Sequence, residues 1–247
     1  AVKANPMPAV VAHLAARVDG LDVASAGELR VALAAGTPAA HISFAGPGKT
    51  DPDLAAALAA DITVNVESAG ELARLVRLGE AAGRRPRVAV RVNPDFELKA
   101  SGMKMSGGPK QFGVDAEQVP ALLRELAAMP AEFMGFHIFS GFQNLDAAAV
   151  VEAQRKSLAL ARELAAHAPA APRVVNIGGG FGIPYFPGDR PLDLAPIGAN
   201  LAALAAEVRQ AWPAATLAIE LGRYLVGEAG IYVSRVIDRK VSRGQVF

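Results

Sequence analysis

A few side chains in this sequence stand out for the chemistry they could do. The chain opens AVKANP, with Lys3 between a β-rich run and an Asn5-Pro6 turn. An ammonium there has two readings. It is either a cation snorkelling from a rim into water, or an amine made nucleophilic by desolvation and able to form a Schiff base with a carbonyl ligand. The stretch NIGGGFG sets Gly178, Gly179 and Gly180 directly after an apolar run. With no Cβ in the way, their N–H groups can approach a phosphate, though a tight turn would use the same residues. The spacing is not the G-x-G-x-x-G of a dinucleotide site. His137 lies inside the apolar run FMGFHIF, where a lone histidine is more often a hydrogen-bonded core residue. Glu220 ends TLAIE, and a buried carboxylate needs a cation or donors beside it. Arg223 is close enough in sequence to be that cation.

Each of these has a purely structural explanation when taken alone. Together, an amine, an anion cradle, a flat imidazole and a buried acid suit one small molecule. Pyridoxal 5'-phosphate carries an aldehyde, a phosphate, an aromatic face and a pyridine nitrogen that needs an acidic partner. Metal chemistry finds little support, because the 4 histidines include no HExxH and no paired carboxylates are spaced for zinc or calcium. His13, His41 and His167 read as surface or helix-end residues. A serine hydrolase would want a G-x-S-x-G elbow, and the sequence has none.

Composition narrows the partners. Lys+Arg number 25 against 24 Asp+Glu, which argues against nucleic acid or an anionic membrane, since both call for a basic patch. No cysteine is present, so neither disulfides nor thiolate metal sites operate here. The apolar runs are short and broken by charges or glycine, so no transmembrane helix is expected. A cytoplasmic enzyme is the expectation.

The elements that must position these residues alternate between periods of two and about 3.6. Short β-rich runs fall at 1–3, 21–25, 41–45, 62–66, 87–92, 133–139, 173–178 and 216–220, with Ala/Leu-rich helical stretches between them. Ser25 with Glu28 and Ser68 with Glu71 have the spacing of helix-start boxes. Eight strands each followed by a helix, save the last, predict an α/β fold of the (β/α)8 TIM-barrel type. A doubly wound open sheet is the rival. In both, ligands gather at the C-terminal ends of the strands. The unusual polar residues fall there: Lys3, Asp22, Arg91 and Asn93, His137 and Ser140, the triple glycine, and Glu220 followed by Gly222 and Arg223. The longest connections, 94–114 and 183–193, fall on the same side, as binding loops or lids often do.

The chain begins inside an element and ends in GEAGIYVSRVIDRKVSRGQVF, a strand-like run without a partner. The expectation is a portion of a longer polypeptide: a barrel over 1–225, then a linker and the first strand of a C-terminal β-domain over 226–247.

With these residues in view, the sequence resembles a known family. AVKANP, LDVASAGEL, ISFAGPGKT, NVESAGEL, RVNP, GFHIFSG, NIGGGFG and ELGRYLVGEAG, in this order, resemble the barrel domain of the fold type III pyridoxal-phosphate decarboxylases, which act on diaminopimelate, ornithine or arginine. The wording SGMKMSGGPKQFGVD and HIFSGFQN is similar to an exosortase-associated sub-branch that includes decarboxylases of glutamyl groups on an acyl carrier protein. The resemblance implies that Lys3 bonds the cofactor aldehyde, His137 stacks on its ring and Glu220 pairs with the pyridine nitrogen. Gly178, Gly179, Gly180, Ser140, Gly222 and Arg223 would hold the phosphate end, while Asp22 and Arg91 orient the lysine and the groups beside the ring. It further implies loss of an α-carboxylate from an amino acid, free or carrier-bound, by a homodimer whose C-terminal β-domain completes the site.

Two departures bear on this. Many relatives read S-K-F-G where this chain has Lys110-Gln111-Phe112-Gly113, so Lys110 receives no role. GFQN at 141–144 replaces the compact HIGSQ of diaminopimelate decarboxylases, which weakens the case for that substrate. Two alternatives remain: an amino-acid racemase of the same fold, and a non-catalytic, cofactor-binding regulatory homologue. Tyr185, Phe186 and Asp189 stand as possible substrate contacts in the 183–193 loop.

Overall fold

The computed structural model describes residues 1–96, 103–104 and 108–247. Much of the 94–114 connection therefore lies outside the described residues. Seven parallel strands form one sheet in strictly sequential order: β1 (Leu21–Val23), β2 (Ile42–Phe44), β3 (Thr63–Val66), β4 (Arg87–Asn93), β5 (Glu132–Ile138), β6 (Val174–Gly179) and β7 (Thr216–Glu220). Helices alternate with them: α1 (Pro8–Ala15), α2 (Ala26–Ala34), α3 (Asp51–Ala60), α4 (Ala69–Ala81), α5 (Val119–Ala127), α6 (Ala147–Ala165) and α7 (Leu194–Ala211), with the short α8 (Arg223–Val226) after β7. Doubly wound sheets reverse strand order at a switch point. The unbroken order here is that of a nearly closed (β/α)8-type barrel.

The expected first strand is the exception. Residues Val2–Ala4 form a 3-10 turn, closed by Ala4 N–H to the Ala1 carbonyl at 3.3 Å and Asn5 N–H to the Val2 carbonyl at 3.0 Å. Pro6 has no N–H to offer a ladder and holds Asn5 extended. The turn occupies the seam of the barrel: the Ala1 amino group donates to the Leu221 carbonyl at 2.8 Å, and Val2 is buried in the main core cluster with Leu21 and Val23 of β1. Lys3 therefore reaches the rim from a turn, not from a strand end.

Period-two alternation and register together explain where the polar residues go. Residues paired across neighbouring strands share a face. Arg91 on β4 pairs with His137 on β5, His137 with Asn176 on β6, and Asn176 with Ala218 on β7. The intervening residues Val88, Val90, Val92, Phe136, Ile138, Val175 and Ile177 belong to a hydrophobic cluster shared with Leu54, Leu72, Leu123 and Leu158 of the helices. The strands are thus apolar toward the helices and polar toward the barrel axis at their C-terminal ends.

Helix starts obey the sequence signals. The Ser25 hydroxyl accepts from Glu28 N–H, and Ser68 from Glu71 N–H. Each such cap contributes about 1 kcal/mol. Thr50 and Asp53 form a full reciprocal capping box on α3. Asp146 and Asp193 cap α6 and α7.

Beyond α8 the chain leaves the barrel. Residues 227–247 are exposed throughout, including Tyr232 at 95% and Ile237 at 96%. The strand expected in this run is reduced to a hairpin pairing Val241–Ser242 with Gln245–Val246, with Arg243 and Gly244 at positive φ in its turn.

Gly135 shows how tightly β5 and β6 approach. Its φ is +141°, and a Cβ added there would overlap the Val174 carbonyl oxygen on the paired strand. Gly135→Ala should lower the unfolding free energy by about 1–3 kcal/mol or more, read as a shift in urea midpoint at constant m-value. A parent-like midpoint would show that the strands can separate without cost.

Candidate functional site

The C-terminal mouth of the barrel holds a cavity of about 690 Å³, within the range of small-molecule sites. Of the residues expected to act together, Lys3, Arg91, His137, Gly180, Glu220, Gly222 and Arg223 line it. Asp22, Ser140, Gly178 and Gly179 lie behind that wall. Asp22 and Ser140 are buried.

Glu220 is the centre of this arrangement. Its side chain is 9% exposed, with Lys3 Nζ 3.8 Å from Oε1 and His137 Nε2 3.2 Å from Oε2. The His137 contact has the distance of an ion pair without the directionality of a hydrogen bond, and the ring's Nδ1 has no hydrogen-bond partner among the described residues. Asn176 donates to Glu220 Oε2 at 3.4 Å and accepts from Gly178 N–H at 2.9 Å, which ties the acid to the glycine turn. Arg223 does not serve as the local partner of Glu220. Its NH1 donates to the Gln143 side chain at 3.3 Å, and its guanidinium lies 5.0 Å from the Phe142 ring and 5.5 Å from that of Tyr185.

Burial would push the Glu220 carboxyl up. The His137 imidazole, by contact and by charge, and then the Lys3 ammonium outweigh it, so the net shift is well below the usual carboxylate range. Asp22 goes the other way. Burial first, then the Glu220 charge, push its carboxyl up to about 6 against the opposing pull of His137, Lys3 and a Ser43 hydroxyl donor at 2.7 Å. Two carboxyls sharing one desolvated pocket thus divide their roles, one charged and one inclined to hold a proton.

Each of the three glycines is demanded by its surroundings. Gly178 and Gly180 have φ of +71° and +77°. A Cβ at Gly178 would press on the Phe139 ring and Ile138 carbonyl, one at Gly179 on the Glu220 carbonyl, and one at Gly180 on the Gly141 carbonyl. A Cβ at Gly222 would come 3.1 Å from that of Ala4. Packing therefore accounts for glycine at these positions, whichever ligand their N–H groups meet.

Several residues that sequence reasoning passed over hold the rim together. Glu67, just past β3, accepts from Gly46 N–H, from Gly113 N–H at 3.0 Å and from Arg91 NH1 at 2.8 Å. Arg91 also lies 4.8 Å from the Phe112 ring, which lines the cavity. Lys49 in the β2–α3 turn is buried and bonds Glu71 at 2.7 Å and the carbonyls of Gly46 and Asn65. Glu67 follows the run 62–66 at its C-terminal end, so the rule that picked out Lys3 and Glu220 pointed to it too. In the 183–193 loop, Tyr185 lines the cavity. Asp189 instead accepts the Tyr185 and Phe186 N–H groups at 2.9 and 3.0 Å, and the Phe186 ring is exposed. Among the described residues no cluster of three or more metal-ligating side chains occurs, and no helix is long and apolar enough to cross a membrane.

Residues 1–227 match the family described as pyridoxal-dependent decarboxylase, pyridoxal binding domain. The chain is 37% identical to the L-glutamyl-[BtrI acyl-carrier protein] decarboxylase of Niallia circulans over 231 residues, covering 92% of this chain and 54% of that one. It is 36% identical to the diaminopimelate decarboxylase of Aquifex aeolicus over 246 residues, covering 96% and 56%. The crystal structure of diaminopimelate decarboxylase from Helicobacter pylori complexed with L-lysine superposes with a TM-score of 0.78 at 28% identity, covering 91% of this chain and 56% of that one. The chain spans a little over half the length of these relatives.

The raised Asp22 carboxyl has a signed consequence for stability. The folded protein holds that proton more tightly than the unfolded chain, so the group stabilises fully below about pH 4. That contribution is lost as pH rises through about 6. Asn at this position can still accept from Ser43 and cannot ionise. Asp22→Asn should therefore gain on the parent as pH rises from 4 to 7, by roughly 1–3 kcal/mol at one pKa unit per 1.4 kcal/mol. Parallel urea melts across pH 4–8 measure this, and a gap that stays flat with pH would refute it.

Proposed function

Because the chain belongs to the pyridoxal-dependent decarboxylase family, as its pyridoxal binding domain, we propose that it holds pyridoxal 5'-phosphate at the barrel mouth and that the complete protein removes the α-carboxylate of an amino acid, free or attached to an acyl carrier protein. The observation that carries this reading is the meeting of Lys3, His137 and Glu220 on one cavity wall, with 3.8 Å and 3.2 Å separating the lysine and the imidazole from the acid.

The residues present suit the group. The Lys3 side chain is 54% exposed beside a buried carboxylate, an amine accessible to an aldehyde. His137 lines the cavity, and its Nδ1 is buried without a hydrogen-bond partner, as a polar atom facing a ligand would be in its absence. In this assignment Lys3 would hold the aldehyde end, His137 the ring and Glu220 the pyridine nitrogen. The Gly178, Gly179 and Gly180 turn with Ser140, Gly222 and Arg223 takes the phosphate.

When bound, pyridoxal phosphate supplies the conjugated sink that holds the electron pair left behind as CO₂ departs. Glu220 keeps its charge at neutral pH and would be the group to hold a proton on the pyridine nitrogen of the bound cofactor. Asn176 fixes that carboxylate to the glycine turn. Asp22 supplies a second carboxyl behind the wall that can carry a proton without competing for the Lys3 ammonium. Arg91 commits its charge to Glu67 and acts by supporting Phe112 at the cavity wall, not by meeting an anion.

We also assign residues 1–225 to the barrel and 226–247 to a linker and the first strand of a C-terminal β-domain. The exposure of Ile231, Tyr232, Val233, Val236 and Ile237 supports this, since so many apolar side chains in one run call for a covering partner. In the complete protein, a cytoplasmic homodimer, that domain would finish the substrate pocket. The names of the relatives support both a carrier-bound glutamyl group and diaminopimelate as substrates.

Loss of the amine in Lys3→Ala should abolish the near-visible absorbance that appears when the parent is mixed with pyridoxal phosphate. An unchanged spectrum would overturn the lysine's role. Glu220→Gln should lower kcat by about 10²-fold or more, as removal of a preorganised charge at a reacting centre does; parent-like turnover would remove it from the mechanism. CO₂ release by the complete protein with carrier-bound glutamate, diaminopimelate, lysine, ornithine and arginine tests the reaction class. No release from any of them would refute decarboxylation.

A further inference from the structure

Gln143 is one of three described non-glycine residues with positive φ, at +58°. An L-residue enters that region only at an energetic cost, and such strain persists where something else is achieved by it. What it achieves here is the placement of one side-chain amide. Nε2 donates to the Ile183 carbonyl, while Oε1 accepts from Ile183 N–H at 3.2 Å and from Arg223 NH1 at 3.3 Å. Next to it, Asn144 N–H donates to the Gly180 carbonyl at 3.0 Å, and Gly182 N–H to the Asn144 carbonyl at 2.8 Å. The backbone of the β5–α6 connection is thus zipped to the chain leaving the glycine turn. Gln143 extends the zip by one residue and spends its remaining lone pair on the guanidinium. Phe142 and Tyr185, one from each zipped segment, place their rings within cation–π reach of the same guanidinium.

We propose that Gln143 is a positioning residue for Arg223, fixing its guanidinium on the cavity wall as a preorganised partner for a phosphate group. The chemistry of the amide fits that task. A glutamate could accept the same bond from Arg223, but it would cancel the charge the anion needs and would meet the Ile183 carbonyl without a proton to donate. An amide satisfies the carbonyl, the N–H and the guanidinium while leaving the positive charge intact. Nothing in the local packing requires glutamine, since the backbone would be relaxed by glycine. The proposal rests on the reading above that Arg223 faces the phosphate of the cofactor.

The test compares pyridoxal phosphate with pyridoxal, which lacks the phosphate, in absorbance titrations of the complete protein. The parent should prefer the phosphorylated form. Gln143→Gly and Gln143→Asn, whose shorter amide tolerates the positive φ but cannot reach Arg223, should each cut that preference by about five- to tenfold, as loss of one charge-assisted contact does, and leave the affinity for pyridoxal within about twofold. A role confined to loop structure would weaken both ligands alike. In an Arg223→Met background, which should itself lose much of the preference, adding Gln143→Gly should change it no further. The proposal is overturned if either single variant keeps the parental preference, or if Gln143→Gly acts as strongly without Arg223 as with it. Should Gln143→Gly fail to fold, Gln143→Asn decides alone. A parent that binds neither compound would sink the cofactor site itself, a different outcome from binding both with an unaltered preference in the variants.

Discussion

The constraint on which this site depends is a carboxylate, Glu220, kept charged where water scarcely reaches. Taking an ionised carboxylate out of water is costly unless cations and donors replace the solvent. Here they come from several sides of the seam: Lys3 from the N-terminal turn, His137 from β5 and Asn176 from β6. The same constraint explains Asp22. A second full charge in that pocket would repel the first, so its carboxyl is pushed toward the protonated form. Charge at one acid and a proton at the other is the division of labour that acid–base chemistry at neutral pH requires.

The barrel makes this possible because its polar face is confined to the strand ends. Arg91, His137 and Asn176 are register neighbours on three successive strands, so one layer of the interior is polar while the layers facing the helices stay apolar. Such a layer must be braced, and the rim supplies the braces. Glu67 receives two backbone N–H groups and Arg91, and Lys49 spends its three protons on Glu71 and two carbonyls. Burial pushes the Glu71 carboxyl up despite that lysine, the expected balance for a buried pair whose Coulomb attraction only partly offsets desolvation.

The alternation of β-rich runs and helices is legible because the strands are apolar on both faces for most of their length and two of the helices, α2 and α4, begin with Ser–x–x–Glu. The sequential parallel barrel follows from that pattern. The run 1–3 was misread as a strand because Ala and Val are equally at home in a buried turn, and the decisive bonds, Ala4 to Ala1 and Asn5 to Val2, are not encoded in apolar pattern. In the C-terminal segment the pairing present is a short hairpin. Alternation gives strand propensity, but without a neighbouring strand to satisfy its backbone the run stays irregular up to the hairpin at Val241. At the mouth, residue type at a strand end pointed to His137 and Glu220, whereas Lys3 reaches the same cavity from a turn. Residue type could not anticipate Gln143 or Asn176, whose importance lies in partners 40 or more residues away.

The triple glycine shows how a sequence motif and its physical cause can part company. Read as a string, it signals an anion site. In the structure, each glycine is fixed by a neighbouring carbonyl or ring that a Cβ would strike, so the motif would be required even if nothing bound there. In the proposed assignment, specificity for an anion would then come from charge, and the cavity offers it at Arg223, because Arg91 is committed to Glu67 and Lys3 faces Glu220. A guanidinium on a flexible arm would be a weak anchor. Held by an uncharged amide and two aromatic rings, it loses less freedom on binding than a free side chain would. On that proposal the turn would supply shape and the arginine charge, with the positive-φ backbone at Gln143 joining them.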